Sequence, residues 1–344
     1  MRKLIDLQQQ LLPDVLDVMK TRYGILRQVM ESDTVGRRAL ASAMSMTERV
    51  LRAETDFLKS QGLLDIGTAG MRISDEGRRL VEELEPYVKE LFGLSELEEQ
   101  IRKHFHLKRV LIVPGDSEQS PQTRRELGRA GCQALKLYMK PDDVIAVTGG
   151  STMAQLANQL STAVPMKGAF FVPARGGLGE SLDYQASTIA STMAKRTGSQ
   201  YRLLHVPDHL SEEAYLSLMQ EPNVREVVEV IRKARIVVHG IGDAMVMARR
   251  RKVDDATRAA MQAEGALAEA LGYYFDRNGQ VIHRMSTVGL RVEDLDSAEV
   301  VIGVAGGKSK GEAIAAVMRF GRDDVLVTDE AAALELLALI RAEQ

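Results

Sequence analysis

The sequence predicts two joined units: an N-terminal, mainly α winged helix-turn-helix and a C-terminal α/β domain with a mostly parallel sheet. Three observations predict this. Two helical patterns near the N-terminus are separated by only Ser45-Met46, and a glycine-tipped hairpin follows them. From Arg109 onward, short β-branched apolar runs alternate with amphipathic helical patterns, the rhythm of a sheet covered by helices on both faces. A charged helical stretch, 74–105, lies between the two patterns. The expected domains are 1–88, a linker helix 89–106, and 107–344.

Bulk properties narrow the function classes. The 344 residues suffice for two domains with full cores, and 45% hydrophobic with 27% charged residues is an ordinary globular composition. No apolar run approaches a membrane span, and Met1 to Asp6 lacks a secretory apolar region, so no membrane contact is expected. One cysteine, Cys132, excludes an intrachain disulfide and fits a reducing cytoplasm. A net charge of −3 means that any nucleic-acid binding must come from a local basic surface. The six histidines are scattered without metal-ligand spacing.

In the N-terminal third, Leu4 to Met19 reads as an amphipathic helix and Arg22 to Met30 as a second. Val35–Met44 is a short helix, and Thr47–Gln61 a longer one whose core face carries Val50, Leu51 and Leu58 beside Glu54. Thr47, Glu48, Arg49, Arg52, Ala53 and Asp56 then lie on the outer side. Arg49 and Arg52 are one turn apart near the helix start, where a recognition helix meets base edges; arginine suits guanine O6 and N7. Arg37 and Arg38 on the preceding helix are placed to touch phosphates. Taken singly, these arginines would be ordinary solvated charges. Leu63–Ile66 and Met71–Ile73 form a hairpin turned by Gly67 to Gly70, and Ser74 caps the next helix. In the connector, Pro86 and Gly93 are candidate breaks.

In the C-terminal two-thirds, strands are expected at Arg109–Val113, Val144–Val147, Phe170–Pro173, Tyr201–Val206, Ile236–Gly240, Val300–Ala305 and Val325–Thr328. A hairpin, Tyr273–Phe275 with Gln280–His283, reads as a local insertion. Ligands in such sheets bind at the loops following strand C-termini. Four of those loops carry glycines: Thr148-Gly149-Gly150-Ser151-Thr152, Pro173 to Gly179, His239 to Asp243, and Ala305 to Lys310. Gly149 and Gly150 let the backbone approach closely, while Ser151 and Thr152 can cap a helix or donate hydroxyls. Neither a Walker loop nor a Gly-x-Gly-x-x-Gly run is present. Arg175 and Lys310 add cations, so the loops together read as a pocket for a polyanion. Asp243 and Glu269 can line it as hydroxyl acceptors or caps. Arg249, Arg250 and Arg251 form a basic run, of which any two read at least equally well as a solvated helix end. No nucleophile elbow, paired carboxylates or metal cluster is recognisable, so no catalytic residue, metal ligand or cofactor is assigned.

Val147-Thr-Gly-Gly-Ser-Thr152, Phe171-Val-Pro-Ala-Arg-Gly-Gly-Leu-Gly-Glu180, Val238-His-Gly-Ile-Gly242 and Val304-Ala-Gly-Gly-Lys-Ser-Lys310 resemble the SorC/DeoR-type sugar-phosphate-responsive regulators. Within that family, the resemblance is to repressors of lower-glycolysis operons in Gram-positive bacteria, of the glyceraldehyde-3-phosphate dehydrogenase operon type. It covers nearly the whole chain. It implies an effector domain similar to sugar-phosphate isomerases and glucosamine-6-phosphate deaminase with catalysis lost, a homodimer or homotetramer, operator double-stranded DNA as partner, and relief by fructose-1,6-bisphosphate. Carried over by motif, the ligand residues are Gly149, Gly150, Ser151, Thr152, Arg175, Gln185, Arg250, Glu269 and Lys310. Ser151 stands where the family often has threonine, which keeps the hydroxyl; Lys308 is an additional cation. The competing class is a sugar-phosphate isomerase or deaminase with an appended DNA reader, against which the missing base argues. A same-family regulator answering to another phosphorylated sugar is the other alternative.

Overall fold

A computed structural model describes residues 11–343 apart from 33, 45, 69, 85–86, 163–164, 178–180 and 209. The chain divides into two compact units between Glu96 and Leu97. No helix among the described residues is long and apolar enough to cross a membrane.

In the first unit, α1 (Pro13–Glu31) leads to α2 (Arg37–Ala43) and α3 (Glu48–Ser60), followed by β1 (Leu64–Gly67), β2 (Gly70–Ile73) and α4 (Asp75–Leu84). The expected break between Met19 and Arg22 does not occur; Leu4 and Leu7 lie outside the described residues. Nothing at Lys20 or Thr21 disrupts a helix, and the Thr21 hydroxyl donates back to the Asp17 carbonyl at 2.9 Å. Gly24, within the helix, allows close packing: a Cβ there would lie 3.1 Å from Met44 Cε.

The turn between α2 and α3 includes Ser45, outside the described residues, and Met46. Thr47 caps α3, accepting the Val50 amide at 3.3 Å. The core face of α3 is Leu51, Thr55 and Leu58. This corrects the expected face, because Val50 is 47% exposed. Residues i, i+4 and i+7 share a stripe, and Thr55 fits the core because its hydroxyl donates to the Arg52 carbonyl at 3.1 Å. Glu54 turns instead to Arg22, 2.7 Å away.

The hairpin pairs Leu64 with Ile73, and Val35 joins it as a bridge to Met71. Gly70, at φ +129°, is required there, since a Cβ would meet the Val35 carbonyl at 2.8 Å. Ser74 caps α4 through the Gly77 amide at 3.0 Å. The connector breaks after Leu84, beside Pro86, which lies outside the described residues, and at Gly93, φ +70°. Between these breaks lies the single turn α5 (Val88–Leu91), and the last connector helix is α6 (Leu94–His104). Its Leu97 and Ile101, with Phe105 just beyond, are buried, so the expected linker segment contributes core.

The second unit is built on a seven-stranded sheet. Its strands are β3 (Arg109–Val113), β4 (Val144–Val147), β5 (Phe170–Pro173), β6 (Gln200–Tyr201), β7 (Ile236–Gly240), β12 (Val300–Val304) and β13 (Val325–Asp329). Their order is β3-β13-β12-β7-β4-β5-β6, with every pairing parallel. Burial on both faces explains the unbroken apolar runs; every residue of β12 and β13 is buried. The expected strand Tyr201–Val206 shortens to Gln200–Tyr201. Its ladder follows Phe171 of β5, and two residues on Pro173 offers no N–H to continue it.

Chain direction across the sheet reverses between β4 and β7, which are neighbours. From β4 the chain proceeds to β5 on one side, and from β7 to β12 on the other. The loops leaving these two strands therefore diverge and open a crevice at the C-terminal edge. Arg235 clasps the opposite end, bonding Asp143 at 2.5 and 2.6 Å and pairing with Glu299 at 2.7 Å.

The expected hairpin forms, with Asp276 accepting the Asn278 and Gln280 amides at 2.9 and 2.8 Å. It is not an isolated insertion. β10 (Tyr273–Phe275) and β11 (Val281–Arg284) belong to a four-stranded antiparallel sheet with β8 (Gly242–Asp243) and β9 (Ala268–Ala270). Strands of two and three residues leave no period to read in the sequence. This second sheet places Glu269 opposite Gly242, at the crevice.

Candidate functional site

The four glycine-bearing loops converge on one cavity of about 530 Å³. All nine residues carried over as ligand contacts, Gly149, Gly150, Ser151, Thr152, Arg175, Gln185, Arg250, Glu269 and Lys310, line it. Leu178, Gly179 and Glu180 of the second loop lie outside the described residues.

Helix α7 (Ser151–Gln159) begins at the cavity wall, with Gly150 as its N-cap at φ +115°. Gly149 is needed for close approach, because a Cβ would lie 2.6 Å from the Tyr184 carbonyl. Gly150 donates its amide to that same carbonyl at 2.9 Å. The expected cradle of amides at 149–152 is thus partly committed within the protein. Ser151 and Thr152 occupy the first turn of the helix, where amides have no helical acceptor. The Thr148 hydroxyl accepts the Gly240 amide at 3.1 Å, tying the β4 and β7 loops together.

On the far wall, Asp329 accepts the amides of Ser117 and Gly307 at 2.8 and 2.6 Å and caps the final helix. That fixes the loop carrying Lys310. Lys310 is half-buried and donates to the Ile241 carbonyl at 3.4 Å. Burial lowers its pKa, with Asp243 and Glu118 pulling the other way. Asp243 caps the next helix, accepting Val246 at 2.7 Å, and also lines the cavity. Lys308 does not line it; it pairs with Glu335 at 3.5 Å on the exterior.

The cavity floor differs most from the expectation. Arg175 is 95% withdrawn from solvent, only 5% exposed, and lies 3.0 Å from Asp208 and 3.5 Å from Glu269. Arg251 shares both acids, donating to Glu269 at 2.8 Å and to Asp208 in a close contact. Arg251 is therefore a buried charge, whereas Arg249 and Arg250 are exposed as expected of a helix end. Its spacing from Ala244 and Ala248, both buried, was the available signal: i, i+4, i+7. Asp208 had no local signal. Burial and the Arg251 charge push the Arg175 pKa down. Burial acts on Arg251 too, but Glu269 and Asp208 outweigh it and hold that pKa up. Ser117, Glu118 and Arg124 also line the cavity and were missed. Glu118 accepts the Ser309 amide at 3.2 Å.

In the first unit, Arg49 and Arg52 are exposed on α3, and Arg52 is 3.7 Å from Asp56. Arg38 is exposed, 3.3 Å from Glu48. Arg37 is half-buried, and its Nε is buried without an acceptor. Thr47 is exposed and spends its side-chain oxygen as the cap of α3.

The helical unit that presents arginines and the α/β unit with a charge-lined cavity at its switch point match, in turn, the DNA-binding and the sugar-binding domain of a transcriptional regulator. Residues 18–88 match the family described as "CggR N-terminal DNA binding domain", and 89–338 the family described as "Putative sugar-binding domain". The chain is 46% identical to a Central glycolytic genes regulator from Priestia megaterium, over 98% of this chain and 99% of the relative. It is 43% identical to a Central glycolytic genes regulator from Bacillus subtilis, again over 98% and 99%. A SorC family transcriptional regulator from Enterococcus faecalis superposes with TM-score 0.66 at 39% identity, over 70% of this chain and 99% of that one. The chain belongs to the central glycolytic genes regulators, a branch of the SorC/DeoR-type family. Its relatives and both domains are those of transcriptional regulators, not enzymes.

Proposed function

We propose that this chain is a cytoplasmic repressor of a glycolytic operon of the glyceraldehyde-3-phosphate dehydrogenase type, relieved by fructose-1,6-bisphosphate. The observation that carries the reading is the convergence of four strand-end loops on one cavity with Lys310, Arg250 and Arg175 on its walls. At about 530 Å³ it falls within the roughly 300–1,000 Å³ of small-molecule sites. One phosphate sits at the start of α7 on the Ser151 and Thr152 amides, helped by Lys310. Arginine meets the other. Glu269 and Gln185 accept and donate to the sugar hydroxyls. The frame is that of a sugar-phosphate isomerase or deaminase without its catalytic base.

The first unit acts as a winged helix: α3 enters the major groove, and β1–β2 is the wing. Arg49 and Arg52 read bases, Arg37 and Arg38 hold phosphates, and Thr47 sets the start of the reading helix. A homodimer or homotetramer presents paired winged helices to a repeated operator. The sugar shifts the repressor by binding its DNA-incompetent state more tightly.

Titrating the purified protein on operator DNA with and without fructose-1,6-bisphosphate tests this: the sugar should weaken the complex or change its geometry. No change in affinity, cooperativity or geometry refutes it. A thermal-shift panel of phosphorylated sugars identifies the effector, since the cognate ligand raises apparent stability by mass action.

A further inference from the structure

To meet a phosphate through its two Nη atoms, Arg175 must loosen its ion pairs with Asp208 and Glu269. Arg175, Asp208, Arg251 and Glu269 form a quartet, each no more than 9% exposed, whose formal charges cancel. Its members are not equally held. Glu269 accepts both Arg251, at 2.8 Å, and the Gly272 amide, at 2.6 Å. Arg251 bonds both acids. Arg175 is ion-paired to the same acids, its Nη2 3.0 Å from Asp208 but out of line for a hydrogen bond, and its Nε is buried without an acceptor. Its guanidinium also lies flat against the turn, because a Cβ on Gly272 would fall 2.1 Å from Nη1. Leu271 in that turn is held at φ +54°, a conformation costly for leucine. Both arginines therefore keep buried donors without an acceptor, two on Arg175 and one, Nε, on Arg251, but Arg251 hydrogen-bonds both acids whereas Arg175 reaches only Glu269, at 3.5 Å.

We infer that Asp208 and Arg251 are positioning and specificity residues that act through Arg175 with opposite sign. Asp208 competes with an entering anion for Arg175. Arg251 stays behind to neutralise Asp208 and Glu269 once Arg175 turns to the anion. A dianionic phosphoryl group outcompetes one carboxylate for a guanidinium fork, whereas a singly charged carboxylate does not. The cavity is thereby tuned to phosphorylated sugars and against sugar acids. This rests on the phosphorylated-sugar reading of the cavity given above.

The test is calorimetric titration of the full chain with fructose-1,6-bisphosphate, inorganic phosphate and gluconate, with thermal melts alongside. Asp208→Asn should bind inorganic phosphate tighter by about tenfold, near 1.4 kcal/mol, and should begin to bind gluconate. Arg251→Met should bind fructose-1,6-bisphosphate weaker by about tenfold or more. The double variant, neutral again, should return to within a few-fold of wild type. Should Arg251→Met fail to fold, Asp208→Asn and the double variant decide the matter. A merely structural quartet predicts that both single variants lose stability and affinity together, and that outcome overturns the inference. Wild type binding none of the three ligands overturns the cavity reading and this inference with it. Wild-type binding with unchanged or weakened phosphate affinity in Asp208→Asn overturns this inference alone.

Discussion

Arginine occupies opposite surroundings in the two units. On α3, Arg49 and Arg52 stand in water, and the single acid near Arg52 is an exposed neighbour 3.7 Å off. On the cavity floor, Arg175 and Arg251 are almost dry and balanced by two equally buried acids. An exposed cation costs little to keep and is strongly screened, so it suits a long polyanion that supplies many phosphates at once. A buried cation exists only with a counter-charge, so a ligand must exchange with that counter-charge, which makes recognition selective. On the function proposed above, the same side chain would read a polymer in one unit and discriminate a small molecule in the other.

The largest expected effect breaks the comparison outright. Arg175→Ala should abolish the sugar response measured on operator DNA while leaving DNA affinity intact; loss of both would mean that the floor serves folding alone. Arg52→Ala should do the reverse, weakening operator binding by about 1–3 kcal/mol with the sugar titration unchanged. Its remaining affinity should still fall steeply with salt, because the phosphate contacts persist.

Lys310 sharpens the contrast through pH. Burial lowers its pKa below the ordinary 10.5, and the form that attracts phosphate is the protonated one. As pH rises through that lowered value, sugar affinity should fall. DNA affinity, carried by arginines that stay charged, should hold over the same range. Parallel titrations from pH 7 upward check this, and flat sugar affinity would remove Lys310 from phosphate binding. The smallest effect concerns Thr47: replacing it with Ala should cost about 1 kcal/mol of first-unit stability through the lost cap. A much larger loss of operator affinity than of stability would assign Thr47 a direct DNA contact.

Legibility in the sequence followed the length and independence of each element. The strands β3, β4, β5 and β7 were readable to the residue, since a parallel strand buried on both faces is an uninterrupted apolar run. The cavity loops were readable from their glycines, and Gly149 and Gly150 have the close approach and positive φ that only glycine tolerates. The core face of α3 is not legible from apolar residues, because a threonine, Thr55, is buried where Val50 is exposed. β8 and β9 were invisible because strands of two and three residues have no period of their own.

Local pattern alone therefore determined the two units, the parallel sheet and the edge at which ligand loops gather, because periodicity and turn chemistry act within a few residues. Tertiary structure alone decided which charges cancel. Arg175 meets Glu269 across 94 residues, and Arg251 meets Asp208 across 43. Whether an arginine is a solvated surface charge or a buried exchange partner depends on dielectric and neighbours, and both exist only once the chain has closed around it.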